Sequence, residues 1–177
     1  MTMMANNLVT VATTGEDMPK LGNEAASRAP SSGCYATQGG DLLMLAANNQ
    51  RQFVNLCEVL GHPEWAADPR WAEPRARAAN QDALRELFKS SFLSKPADEW
   101  ESLLDQAGVP ASRVRKLSET VAEGQLQARG LLTTLPVGKD ATPVSLPGVG
   151  FRLNGASLTP DRPPKAVGAD DAQWWSD

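Results

Sequence analysis

Few residues of this sequence have side chains suited to catalysis or metal binding. There is one histidine, His62, and there are two cysteines, Cys34 and Cys57. A Ser-His-Asp or Cys-His hydrolase would have to work through His62, and the residues around it supply no partner for that role. One histidine and two scattered cysteines also fall short of the ligand set of a structural zinc site. We therefore predict no catalytic residue of this kind and no metal site.

Each of these three residues has a structural interpretation. His62 follows the predicted end of a helix, where the helix dipole favours a positive charge. Cys57 falls on an apolar helix face and is predicted to be a buried small hydrophobe. Cys34 has no basic neighbour that would lower the pKa of its thiol, so we do not predict a reactive cysteine there.

The charged residues also favour structural roles. Asp68-Pro69-Arg70 is predicted to be a turn closed by a local ion pair. Asp98, Glu99 and Glu101 crowd the start of a predicted helix, where the dipole stabilises negative charge. Neither of the glycine-rich phosphate-binding patterns, GxGxxG and GxxxxGK[ST], occurs in the sequence. The residues alone thus show no self-contained catalytic constellation.

Composition excludes several classes of function. The 177 residues include 17 basic and 21 acidic ones, for a net charge of −4, and they contain no basic run. We therefore expect neither nucleic-acid binding nor binding to anionic membranes. The longest apolar stretch, residues 42–47, is too short to cross a bilayer. The N-terminal residues do not resemble a secretory signal, and two cysteines fit reduced thiols, so we predict a cytoplasmic protein.

The elements that would position these residues begin with a hairpin. Residues 34–37 and 41–47 are predicted strands, and Gly39-Gly40 between them is a turn signal. The second strand is continuously apolar, which predicts cover on both of its faces.

Four helices are predicted to follow the hairpin. The first has apolar residues spaced i, i+3, i+4 and i+7 from Phe53 to Leu60, with Gly61 at its C-terminal end. Pro96 is expected in the first turn of the third helix. The predicted N-caps are Asn48 or Asn49, Asn80, Ser94 and Ser118.

The last part of the chain differs in character. Residues 131–135 and 149–153 are β-like, and prolines punctuate the rest. Trp174-Trp175 would be costly to expose, so we expect them to dock on this chain or a partner. The sequence therefore predicts an α+β protein. Its three parts are a linker or loop segment over 1–32, an α+β domain over 33–128 and an extended Pro-rich arm over 129–177.

The order of the local motifs resembles the class III CoA-transferase family, which includes formyl-CoA transferase, carnitine CoA-transferase and α-methylacyl-CoA racemase. The resemblance runs over about residues 14 to 168 in the family's order and approximate spacing. The motifs that carry it are Thr14-Gly15-Glu16, Pro19-x-Leu21-Gly22-Asn23, Gly33-x-Tyr35-x-Thr37-x-Gly39-Gly40, Phe53-x-x-Leu56-Cys57-x-x-Leu60-Gly61, Asp68-Pro69-Arg70-Trp71, Arg77-x-x-Asn80, Glu99-Trp100, Ala107-Gly108-Val109-Pro110, Gln125-x-x-x-Arg129-Gly130, Leu146-Pro147-Gly148 and Pro163-Pro164.

The resemblance concerns only the C-terminal half of the family's chain. It implies the family's small domain, a short antiparallel sheet with about four helices, followed by the Pro-rich arm. In the family, the N-terminal half carries a Rossmann-like domain, most of the CoA site and the catalytic aspartate. No position here matches that aspartate, so we assign no catalytic residue and expect no catalysis by this chain alone. The alternative is a non-catalytic binding or oligomerisation module derived from the family.

The resemblance also implies ligands and partners. We expect no tightly bound cofactor, with CoA or acyl-CoA as the candidate ligand. Its candidate contacts are Arg28, Ser31 and Ser32, in a loop that lacks the glycines formyl-CoA transferase has there, and then Tyr35. Family members form interlocked dimers, so we expect a homodimer, and a separately encoded N-terminal half is a further candidate partner.

Overall fold

The structure is a computed structural model that describes residues 5–18, 20–23, 25, 29–165 and 167–169. It contains two compact units, residues 1–114 and residues 115–177. Helices and short antiparallel sheets make up both units, which confirms the predicted α+β class. The three-part division expected from the sequence stays a prediction, as does the docking of Trp174-Trp175, which lie outside the described residues.

The first unit combines a three-stranded sheet with six of the described helices. Its strands are β1 (Ser32–Ala36), β2 (Leu42–Ala46) and β3 (Ala111–Arg113). Its helices are α1 (Ala5–Thr14), α2 (Gln50–Val59), α3 (Glu64–Ala67), α4 (Pro74–Ala79), α5 (Gln81–Phe92) and α6 (Ala97–Gln106).

The predicted hairpin is confirmed. Strands β1 and β2 pair antiparallel with Tyr35 opposite Leu43, and β3 pairs antiparallel with the other edge of β2. Gly39 and Gly40 lie in the connecting loop with φ of +90° and +92°, a region in which a side chain would be strained. The amide of Thr37 donates to the carbonyl of Asp41 at 2.9 Å and closes this loop.

Among the residues that the structure describes, the central strand is covered on one face, so the prediction of cover on both faces is wrong for this part of the chain. Leu43 and Leu45 are 0% and 1% exposed, whereas Leu42 and Met44 are 43% and 48% exposed. Helices α5 and α6 contact the sheet on its buried side. A continuous apolar run indicates that both faces of a strand can pack against apolar groups. It does not show that the same chain covers both faces.

An aromatic cluster joins the helices to the buried side of the sheet. The ring of Tyr35 lies 5.1 Å from that of Phe92, and the ring of Phe92 lies 5.4 Å from that of Trp100. The indole N–H of Trp100 donates to the carbonyl of Phe92 at 3.0 Å, which satisfies the polar group that a buried tryptophan carries. These contacts tie α5, α6 and β1 together.

Helix α2 forms as the sequence predicts. The side chain of Asn49 caps it, accepting from the amide of Gln52 at 2.9 Å. Phe53, Leu56 and Cys57 are completely buried. Gly61 follows the helix with φ of +81° and marks its C-terminal end.

Two predicted caps are wrong. Ser94 does not cap α6, because its hydroxyl donates to the carbonyl of Ser91 at 2.7 Å, and Pro96 takes the N-cap position instead. Ser118 lies inside a later helix, whose N-cap is Lys116. In both places a neighbouring residue within one turn starts the helix, and capping preferences alone do not separate such alternatives.

Asn80 lies at its predicted cap position, the N-cap of α5, but its side chain does not cap the helix. The side chain instead donates back to the carbonyl of Ala76 at 2.9 Å. It thus terminates α4 rather than satisfying an amide of α5.

The second unit begins with α7 (Leu117–Ala122) and α8 (Gly124–Ala128). An antiparallel hairpin of β4 (Leu132–Val137) and β5 (Thr142–Pro147) follows, and then a short pair of β6 (Arg152–Leu153) and β7 (Ala156–Ser157). The sequence predicted β4 and β6 in part and missed β5, which contains Pro143 and Pro147. A two-stranded ribbon tolerates these prolines because each of its strands is an edge.

We predict that the two faces of β2 differ in their contribution to stability. Leu43→Ala should lower the free energy of unfolding by about 2–5 kcal/mol, because it leaves a cavity in the core. Leu42→Ala should change it by no more than about 0.5 kcal/mol, because that side chain is already partly hydrated. Urea unfolding followed by tryptophan fluorescence, which reports the buried Trp71 and Trp100, measures both. Equal losses would contradict one-sided cover.

Candidate functional site

Three of the four candidate CoA contacts lie together around the turn before β1; the fourth, Arg28, lies outside the described residues. The hydroxyl of Ser31 donates to the carbonyl of Ala47 at 2.6 Å. The hydroxyl of Ser32 donates to Oδ1 of Asn48 at 2.7 Å. Both side chains are buried, so their hydroxyls fix the turn to the end of β2.

Tyr35 belongs to the same cluster but lies deeper. Only 3% of it is exposed, and its hydroxyl donates to the carbonyl of Pro30. Burial raises the pKa of Tyr35 to about 12, because the phenolate would lose its hydration. Tyr35 therefore remains protonated at neutral pH, and its hydroxyl holds the turn through the hydrogen bond to the carbonyl of Pro30. Whether Ser31, Ser32 and Tyr35 contact CoA stays a prediction.

A cavity of about 240 Å³ lies beside this turn. The turn, the first residues of α2 and one side of α4 enclose it. Its lining residues are Ala29, Pro30, Ser31, Ala47, Asn48, Asn49, Gln50, Pro74, Arg77 and Ala78. Two of the four predicted contact residues thus lie at the cavity. Ser31 lines it, and Ser32 donates a hydrogen bond to Asn48, which also lines it.

Arg77 is the charged residue of this lining, and the sequence reasoning did not select it. Only 7% of it is exposed, and its Nε donates to the carbonyl of Trp71 at 2.9 Å. Its Nη2 donates to Oε1 of Gln50, and its guanidinium carbon lies 3.4 Å from the centroid of the Phe53 ring. The only sequence signal for this residue is its place in the motif Arg77-x-x-Asn80.

Neutral groups in direct contact compensate the charge of Arg77, and the carboxylate of Glu73 adds an attraction through space. Within the described part of the chain it forms no salt bridge, and carbonyl oxygens and the face of an aromatic ring surround it instead. Burial lowers its pKa from the ordinary value. An arginine nevertheless stays charged in proteins, so a fixed positive charge borders the cavity.

The histidine and the cysteines have structural surroundings, as predicted. The ring of His62 stacks on Trp65 with 4.1 Å between centroids, and its Nδ1 lies 2.9 Å from Oε1 of Glu64. Burial raises the pKa of Cys57 to about 12 and also raises the pKa of Cys34. Both thiols are therefore protonated at neutral pH, which makes them poor nucleophiles.

Two acidic side chains, Asp68 and Glu101, are likewise engaged in structure. Asp68 forms the predicted local ion pair, with its Oδ2 2.7 Å from Nη2 of Arg70. This pairing lowers the pKa of Asp68. Glu101 accepts from the hydroxyl of Ser112 at 2.9 Å and from the amide of Arg113 at 3.1 Å.

The described residues hold no group of three or more His, Cys, Asp or Glu side chains arranged to bind a metal ion. None of the helices found in them is both long and apolar enough to span a membrane.

Similarity to curated proteins extends over most of the chain. It is 34% identical over 116 residues to the succinyl-CoA–D-citramalate CoA-transferase of Chloroflexus aurantiacus, covering 66% of this chain and 29% of that protein. It is 29% identical over 173 residues to the succinate–glutarate CoA-transferase of Agrobacterium fabrum, covering 97% of this chain and 42% of that protein. The chain thus spans less than half the length of these relatives.

Solved structures share the fold. A CaiB/BaiF family protein from Brucella suis superposes with a TM-score of 0.74 at 24% identity, over 97% of this chain and 43% of that one. The family model described as CoA-transferase family III matches residues 1–171. With nearly its whole length matched by that model, the chain belongs to CoA-transferase family III.

Proposed function

We propose that this chain supplies the small domain and arm of a class III CoA-transferase, which moves CoA between carboxylic acids. The observation that carries the proposal is the family match over residues 1–171 in a chain that spans 29% and 42% of two CoA-transferase relatives. Both relatives are named for transfers that involve short dicarboxylic acids.

In this proposal the chain alone does not catalyse the transfer. Covalent catalysis requires a nucleophile that is activated and positioned. The described thiols are protonated, and the described carboxylates of Asp68 and Glu101 hold local structure. Further polypeptide of the family, joined to this chain or separate from it, would have to provide the nucleophile. The completed protein would be a dimer, as the resemblance implies.

The cavity beside Arg77 is where CoA or acyl-CoA would meet this chain. Its volume of about 240 Å³ lies below the range of roughly 300–1,000 Å³ typical of ligand pockets, so it suits one part of the ligand, such as a phosphate or a carboxylate. The positive charge of Arg77 supports an anionic group there. Ser31, Ser32 and Tyr35 would hold the wall of this cavity in place through their hydrogen bonds.

A second candidate function is a binding module that associates with other proteins and performs no transfer. The exposed apolar side chains of Leu42 and Met44 favour an association role of some kind. The two functions differ in whether association restores catalysis.

We predict that CoA transfer requires the part of a family-length polypeptide that this chain does not match. The full chain alone should turn over no succinyl-CoA with glutarate. Mixed with the part of the Agrobacterium relative that this chain does not match, it should support measurable transfer, with that part alone as the control.

The two candidate functions predict different outcomes of this experiment. Transfer by the chain alone would contradict the proposal, because it would require a nucleophile within these 177 residues. A stable complex without transfer would favour the binding module.

We further predict that the hydroxyl of Tyr35 stabilises the turn before β1. Tyr35→Phe should lower the free energy of unfolding at pH 7 by about 1–3 kcal/mol, because the buried carbonyl of Pro30 loses its donor.

The pH dependence of this variant adds a second readout. The pKa of Tyr35 is raised from 10.0 to about 12, so its contribution is complete below pH 10 and is lost as the pH rises towards 12. Urea titrations between pH 7 and 12 should show a loss over that range in the natural chain that Tyr35→Phe lacks. Both proteins retain Cys57, so their difference isolates Tyr35. Parallel profiles would contradict this role.

A further inference from the structure

We propose that the cavity beside Arg77 is a carboxylate site, which this chain forms by itself and which takes one carboxylate of a short aliphatic acid. The donors that would hold the carboxylate are the guanidinium of Arg77 and the side-chain amides of Asn48 and Asn49, all of which line the cavity. The inference rests on the proposed function, which places part of an anionic ligand here, and it goes further by naming the group and its donors.

The side-chain amide oxygens of the cavity lining are already occupied within the chain. Oδ1 of Asn48 accepts from the hydroxyl of Ser32 at 2.7 Å. Oδ1 of Asn49 accepts from an amide in the first turn of α2 at 2.9 Å, and Oε1 of Gln50 accepts from Nη2 of Arg77. Each of these oxygens thus serves a donor of the protein, and the lining offers little to a ligand that donates hydrogen bonds.

Donors of the same side chains are left for a ligand. Because the oxygen of each amide is held by its own hydrogen bond, Nδ2 is the atom that Asn48 and Asn49 can still use, and neither Nδ2 has an acceptor among the described residues. The Nε and Nη2 atoms of Arg77 donate to carbonyl and amide oxygens, whereas its Nη1 has no acceptor in that part of the chain. A carboxylate, which only accepts, complements such a set of donors.

The charge of Arg77 is the second observation that points to an anionic ligand. Arg77 is only 7% exposed, yet it lines the cavity and forms no salt bridge within the described residues. Glu73 attracts it through space but does not line the cavity. A charge that is buried without an ionic partner is costly, so a ligand carboxylate would gain a charge-assisted interaction there.

Helix α2 begins at the cavity and adds to this attraction. Asn49 satisfies the amides of Gln52 and Phe53, through its side chain at 2.9 Å and its carbonyl at 3.0 Å. The amides of Gln50 and Arg51, the first two of the helix, have no acceptor among the described residues. Such free amides and the helix dipole favour negative charge at the first turn.

The rest of the lining distinguishes an aliphatic acid from inorganic phosphate. It includes five small apolar residues: Ala29, Pro30, Ala47, Pro74 and Ala78. The methylene groups of a short acid would contact these walls and leave water, which is favourable, whereas phosphate has no apolar part to place there. The volume of about 240 Å³ is also too small for a whole CoA molecule.

The test titrates the full chain with glutarate at constant ionic strength, in calorimetry and in thermal melts. We expect the natural chain to bind glutarate with a dissociation constant on the order of 1 mM, and phosphate at least about tenfold more weakly. Glutaramide, the neutral diamide of the same length, should give no heat, because it lacks the charge that Arg77 would pair with.

Two nearly isosteric variants remove the site and keep the fold. Gln50→Glu places an internal carboxylate against Arg77, and Asn48→Asp keeps an oxygen for Ser32 but replaces the Nδ2 donor with a second oxygen. Both should bind glutarate at least about tenfold more weakly. Gln106→Glu is the matched control, since Gln106 is exposed at the end of α6 and does not line the cavity, and it should bind as the natural chain does.

A measurement on the natural chain keeps the inference testable if the variants unfold. Glutarate should shift the backbone amide signals of Gln50 and Arg51 in a ¹H–¹⁵N spectrum, because these amides lie at the start of α2 beside the cavity. Glutaramide at the same concentration should leave both signals in place.

The outcomes separate this inference from the proposed function. Absence of glutarate binding, or binding that both variants retain, would overturn the carboxylate site, while CoA transfer by the completed protein would still support the proposed function. Phosphate that binds as tightly as glutarate would assign the cavity to a phosphate group and overturn the choice of an aliphatic acid. Glutarate binding without any transfer by the completed protein would contradict the proposed function and leave the carboxylate site in place.

Discussion

The first unit depends on the packing of the central strand β2 against its helix layer. Leu43 and Leu45 point into that layer and are almost completely buried. The aromatic cluster of Tyr35, Phe92 and Trp100 then joins β1, α5 and α6 around them. Because protein interiors are close-packed, β2 and the helices hold one another in place, and the residues after β2 in turn hold the turn that precedes β1.

The candidate site depends on that arrangement through hydrogen bonds that leave little freedom. Ser31 and Ser32 bond to the residues just after β2, and Tyr35 holds Pro30. Arg77 joins α4 to α2 through Gln50 and lies over Phe53 of the core. The cavity is therefore pre-formed by contacts that continue into the core, which limits the conformational entropy that the protein would lose when a ligand binds there.

The sequence predicted those parts of the fold that local pattern determines. The spacing from Phe53 to Leu60 and the glycines of the hairpin located α2 and the β1–β2 pair correctly. The caps at Ser94 and Ser118 were wrong because several residues within one turn compete to start a helix. Strand β5 was missed because its prolines oppose strand pairing except at an edge. The sequence did not identify Arg77 as a cavity residue, because its place there depends on burial, which spacing alone does not reveal.

The exposed apolar side chains on the outer face of the β1–β2–β3 sheet limit how tightly a partner could bind there. Complete burial of a Leu, Val or Met side chain contributes about 1.5–3 kcal/mol, and Leu42, Met44 and Val114 are each about half exposed. Covering them therefore contributes on the order of 3 kcal/mol, whereas micromolar binding requires about 8 kcal/mol. A separate partner would need contacts beyond these three side chains. A covalently joined partner would need less, because a linker raises the effective concentration to about millimolar. Leu42, Met44 and Val114 are thus sufficient to orient an attached domain, but they do not by themselves give micromolar binding of a detached one.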